Sequence, residues 1–181
     1  MSHYRRARTP GGSFFFTVVT ERRQKILTNA DVRCALREGI QQVRQTLPFN
    51  IDGWVLLPDH MHCIWTLPAD DADFSTRWRM VKRHVTVACG KHYFRPELMT
   101  ARRTEKQCGT LWQPRYWEHC LREDEDVRAH LDYLHWNPVK HGLVEHVAEW
   151  PWSSFHRYAA SGVYSRDWGG SVANDKLISY D

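Results

Sequence analysis

A chain of 181 residues, 42% apolar and 25% charged, holds enough apolar material for one domain with a buried core. It has no run of about 18 apolar residues that would cross a membrane. The basic start, MSHYRRARTPGG, has no apolar segment of signal-peptide type behind it. Five scattered cysteines without a Cys-x-x-Cys pair argue against a zinc ribbon or a disulfide framework and fit a reducing, cytoplasmic setting. The net charge of +4 is unevenly placed. Residues 1–25 carry +5 and residues 75–106 carry +7, against −4 on each remaining stretch. Two basic blocks on an otherwise acidic chain point to a polyanion, most simply nucleic acid.

The run SFFFTVVT (13–20), β-branched and aromatic after Pro10-Gly11-Gly12, is predicted as the first strand. Residues 31–47 place Val32, Leu36, Ile40, Val43 and Leu47 at helical spacing, with Thr28 or Asn29 as cap and Pro48 as stop. NIDGWVLL (50–57) and MHCIWTL (61–67), joined by Pro58-Asp59, read as an antiparallel hairpin. A helix over 75–93 is predicted to carry Arg77, Arg79, Lys82 and Arg83 outward and Trp78, Val81, Val85 and Ala88 inward. Residues 94–110 are polar and basic and read as a mobile loop, and 111–122 hold a short strand after Pro114. DEDVRAHLDYLHW (124–136) is a helix with an acidic first turn, expected to end at Asn137 because Pro138 disfavours helical backbone before it. NPVKHGLV then reads as a loop, and the aromatic stretch from Trp150 as a wrap around the domain. This order predicts an α+β fold, an antiparallel sheet with helices on one face, as a single domain over 1–168 with a tail over 169–181.

The stretch LPDHMHCIWTLP (57–68) carries the sharpest chemical signal. On a strand, His60 and His62 share one face while Met61, Cys63 and Trp65 share the other. Two imidazoles on one face are either a surface accident or half of a metal site. On the helix over 124–136, Tyr133 and Asn137 stand four apart, on one face. Asn137 is either a donor to a hard cation or a helix cap, and Tyr133 either a nucleophile toward a metal-polarised phosphodiester or a core residue. Asp59 either orients an imidazole or makes the turn. His119 and Glu118 either support a metal ligand or bond within the core. Lys140 and His141 touch phosphate or belong to a loop turning at Gly142. The nine tryptophans stack on unpaired bases or fill the core.

Together these stretches resemble a known family. LPDHMHCIWTLP is similar to the His-hydrophobic-His motif of single-tyrosine HUH endonucleases, and HLDYLHWNPVKHGLV resembles the tyrosine helix of REP-associated tyrosine transposases. GGSFFFTVVT, LWQPRYWEHCLR and WPWSSFHRY resemble further blocks of that family, in order from about Tyr4 to Trp168. The resemblance implies a ferredoxin-like core, a divalent metal (Mg²⁺ or Mn²⁺) on His60, His62 and Asn137, and Tyr133 as the nucleophile. Asn137 departs from the Gln of related insertion-sequence transposases. The implied substrate is single-stranded DNA, a repetitive extragenic palindrome (REP) hairpin with a flanking tetranucleotide, nicked through a 5′-phosphotyrosine by a monomer or homodimer. Arg5, Arg6, Arg8, Arg77, Arg79, Lys82 and Arg83 are the candidate DNA contacts. A water-using metal-dependent nuclease and a non-catalytic palindrome-binding protein are the rival readings.

Overall fold

A computed structural model describes residues 9–169. Four strands, β1 (Ser13–Val19), β2 (Asn50–Leu56), β3 (His60–Thr66) and β4 (Trp117–Leu121), form one antiparallel sheet in the order β2-β3-β1-β4. Helix α1 (Ala30–Thr46) links β1 to β2, and α2 (Phe74–Tyr93) lies between β3 and β4. This β-α-β-β-α-β sequence is the ferredoxin-like arrangement. Helices α3 (Ala101–Glu105), α4 (Asp124–Lys140) and α5 (Phe155–Ala160) complete it.

The helices cover both faces of the sheet, not one. Phe14, Phe16, Met61, Cys63 and Trp65 point toward α1 and α2, where Trp65 stacks on Trp78 at 4.0 Å. Phe15, Val55 and Ile64 point to the opposite face and pack against Tyr133 and Leu134 of α4. A strand buried on both sides reads as continuous apolar sequence, which accounts for Phe14-Phe15-Phe16.

Two boundaries differ from expectation. Residues 94–110 contain α3, and its Arg103 is buried in an ion pair with Glu21 and donates to the Gly109 carbonyl at 2.6 Å. Helix α4 does not stop at Asn137 but runs through Pro138 to Lys140. It ends at Gly142 (φ +64°), with Gly142 N–H donating to Val139 and Leu143 N–H to Pro138, the paired bonds of a Schellman terminus. Burial of both Asn137 and Pro138 overrides the local preference against helix before proline. On α2 the inward row ends at Cys89, and Ala88 is exposed.

The segment after Trp150 does wrap the domain. Leu56 N–H donates to Trp152 O and Ser154 N–H to Trp54 O, so this segment covers the outer edge of β2, and Trp150 Nε1 donates to Leu56 O. Apart from Gly169, the expected tail lies outside the described residues. Among those residues, no helix is long and apolar enough to cross a membrane.

Gly53 sits at an irregularity in the β2–β3 register, directly beneath α4. A Cβ there would stand 2.8 Å from Leu131 Cδ2 and 3.3 Å from Leu134 Cδ1. Gly53→Val is expected to lift α4 and lower stability by about 1–3 kcal/mol, read as a reduced urea midpoint with an unchanged slope.

Candidate functional site

His60 and His62 leave β3 on the α4 side, and both are buried. Each ring is fixed through Nδ1. His60 Nδ1–H donates to Asp59 Oδ1 at 2.7 Å. His62 Nδ1 shares a 2.9 Å hydrogen bond with Oγ1 of Thr17, its register partner on β1. The rings stand 5.0 Å apart and nearly perpendicular, with both Nε2 atoms buried. An imidazole fixed through Nδ1 in this way is set to offer Nε2 to a metal. Burial works against ionisation of Asp59, but the His60 hydrogen bond and charge, with the Arg23 ion pair at 3.3 Å, outweigh it and hold its pKa at about 2. Asp59 therefore orients an imidazole as a carboxylate.

Helix α4 lies over this pair. The Tyr133 ring is 5.3 Å from His62, and the His141 ring is 5.1 Å from His60. Asn137 stands four residues from each, on the same helical face between them, and is fully buried. Its Oδ1 and Nδ2, and Nε2 of His60, have no hydrogen-bond partner among the described residues. An unsatisfied buried amide is costly, and a cation on Oδ1 relieves part of that cost. Two imidazoles and an amide oxygen fit a divalent cation. Lys140 Nζ donates to Tyr133 Oη at 3.4 Å and lies 5.0 Å from the ring centroid.

The basic residues divide differently. Arg77 is a correction: it is 1% exposed and does not face solvent. Its guanidinium donates to the carbonyls of Leu47, Pro48 and Asp73 and pairs with Asp71 at 2.6 Å. Arg79 and Arg83 are exposed on α2, in the layer across the sheet from Tyr133. Lys82 is half-buried and donates to Gln113 O at 2.6 Å. Arg5, Arg6 and Arg8 lie outside the described residues. Thr17 and Arg23 join the site without having been chosen from the sequence, and His141, weighed there as a phosphate contact or a loop residue, lies against His60 instead. Thr17 is visible only through strand register, whereas Arg23 lay in a basic stretch and His141 near the tyrosine.

The family model described as "Transposase IS200 like" matches residues 12–136. The chain is also 46% identical to the REP-associated tyrosine transposase of Escherichia coli strain K12, over 99% of this chain and all of that one. The chain belongs to the REP-associated tyrosine transposases. A solved structure described as a REP-associated tyrosine transposase bound to a REP hairpin matches with a TM-score of 0.80 at 46% identity, covering 96% of this chain and 94% of that one. Membership of a transposase family carries an enzymatic, DNA-cleaving role.

In this transposase, Arg77→Ala is expected to lower stability by about 3 kcal/mol or more by leaving buried carbonyls unpaired. A denaturant midpoint that stays unchanged while DNA affinity falls would contradict that structural role. A second expectation concerns pH. His135 on α4 is fully buried and shares a 2.9 Å hydrogen bond with Ser154 Oγ. Burial, then the charges of Arg157 and His156, lower its pKa from 6.5 to about 3. Only the unfolded chain binds this proton between those values. The stabilisation is therefore complete above pH 6.5 and declines toward pH 3, with a slope of up to about 1.4 kcal/mol per pH unit. Urea unfolding at pH 6 and pH 4.5 is expected to show a smaller stability loss for His135→Gln than for the unmodified transposase.

Proposed function

We propose that this transposase nicks and rejoins single-stranded DNA with Tyr133 as nucleophile, at a site that also holds a divalent metal on His60, His62 and Asn137. The observation that carries the reading is the single buried cluster in which the Tyr133 ring lies 5.3 Å from His62 and the two histidine rings 5.0 Å from each other. A divalent ion such as Mg²⁺ or Mn²⁺, held by His60, His62 and Asn137, would supply positive charge against the scissile phosphate. Tyr133 Oη attacks phosphorus, a Tyr133–phosphate bond forms, the bond to the 3′ oxygen breaks, and the proton lost by the phenol is balanced by protonation of the departing 3′ oxygen to a 3′-hydroxyl. The reverse reaction with another 3′-hydroxyl rejoins strands without a nucleotide cofactor. Lys140 Nζ, 3.4 Å from Oη, stands where it stabilises negative charge developing on the phenolic oxygen. Asp59 and Thr17 keep the two imidazoles in place.

The substrate in this reading is a REP hairpin with its flanking tetranucleotide. The hairpin part of this reading is supported by the related protein described as bound to a REP hairpin. Arg79 and Arg83, across the sheet from Tyr133, would engage backbone phosphates away from the scissile bond, with Lys82 and the N-terminal Arg5, Arg6 and Arg8 adding charge. His62 and Tyr133 meet within one chain, which supports a monomer as the active unit.

The test is cleavage of a labelled single-stranded palindrome hairpin with Mg²⁺ or Mn²⁺, resolved on a denaturing gel. The unmodified protein is expected to give a covalent protein–DNA band that Tyr133→Phe loses, and His62→Ala is expected to lose cleavage by 100-fold or more, on the order of a removed catalytic group. Cleavage by the Phe variant without an adduct would favour a water-using nuclease. Tight binding without cleavage by either protein would favour a palindrome-binding protein.

A further inference from the structure

A second polar cluster lies beyond Phe15. His119 on β4 is the register partner of Phe15 and therefore shares the α4 side of the sheet. Asp126 and His130 face it from the first turns of α4. His119 Nε2 is 3.1 Å from Asp126 Oδ2, and His130 Nδ1 is 3.0 Å from Asp126 Oδ1. The two imidazoles stack at 5.0 Å with 15° between their planes. One donor atom from each of the three residues lies within 4.8 Å of the other two.

We propose that His119, Asp126 and His130 bind a zinc-type divalent ion that joins β4 to the start of α4, at a site separate from the one on His60 and His62. Two imidazoles and a carboxylate form the mixed nitrogen and oxygen donor set that zinc takes, with a fourth position left for water. Zinc with ligands at about 2.0–2.1 Å sets neighbouring tetrahedral donors about 3.4 Å apart. The 3.0 and 3.1 Å separations are already close to that spacing, and His130 Nδ1 exchanges its 2.9 Å hydrogen bond to the Asp126 carbonyl for the ion. The third edge closes by rotation of His119, whose side chain is 38% exposed. Asp124 and Glu125 in the same first turn add negative potential that favours a cation. The Phe15 ring, 5.4 Å from His62 and 4.9 Å from His130, separates the two sites. The ion spans the strand and the helix turn that lie just ahead of Tyr133, so its role is to fix the position of that helix.

The experiment uses the full chain stripped with chelator and titrated with Zn²⁺ alone. Bound metal is read by calorimetry, and thermal unfolding is followed with and without Zn²⁺. The unmodified protein is expected to bind about two equivalents, and His119→Ala and Asp126→Asn about one each, with the Zn²⁺-induced rise in Tm reduced in both. Asp126→Asn preserves the side-chain shape, and circular dichroism checks that each variant is folded. Equal Zn²⁺ equivalents and equal Tm rises in all three proteins would overturn the proposal and leave a metal-free hydrogen-bonded cluster. Loss of zinc from His62→Ala but from neither cluster variant would overturn it too.

Discussion

Everything in this molecule hangs on the burial of β3 from both sides. Side chains alternate along a strand, so a helical layer on each face forces a choice at every position. Met61, Cys63 and Trp65 go to the large aromatic core beneath α1 and α2. His60, His62 and Ile64 go to the α4 side. A slip of one residue would place imidazoles among Trp78 and Phe16 and would eject Trp65 from that core. The register that builds the core is therefore the same register that builds the histidine pair.

Helix α4 closes the site from above, and its position is set at both ends. Near its start it faces β4 through Asp126 and His130. At its C-terminal end the Schellman bonds at Gly142 bring His141 onto His60. Between these ends Gly53 permits close approach to β2, which sets the depth at which Tyr133 rests against Phe15 and His62. His135, on α4, is enclosed by Phe155, Tyr158 and Tyr164, so the C-terminal segment holds the helix down.

The alternation of β3 was plain in the residues themselves, because period two needs no tertiary information. The hairpin, α1 and the helix bearing Tyr133 were legible for similar reasons of spacing. The two-sided cover was missed although Phe14-Phe15-Phe16 signalled it, since strict alternation is expected only of a strand with one wet face. Arg77 was assigned outward by its charge, yet it stands four residues before Val81 and eight before Val85, so helical spacing placed it inward. Pro138 misled in another way: the rule about the preceding residue is a preference of fractions of the helix's energy, and tertiary burial outweighed it. Thr17 was beyond reach because nothing local relates it to His62, 45 positions further along the chain.

The late covering of β2 has a consequence for how the molecule comes into being. The strands that carry Thr17 and His62 emerge early in synthesis, Tyr133 emerges much later, and the Trp150–Ser154 segment that seals the sheet edge comes later still. Contacts so distant along the chain form last and together, since their loop-closure entropy is recovered only when the whole sheet assembles. A nascent or truncated chain thus holds the histidines without a positioned tyrosine. The buried cluster of His60, His62, Tyr133 and Asn137 is assembled only in the finished fold.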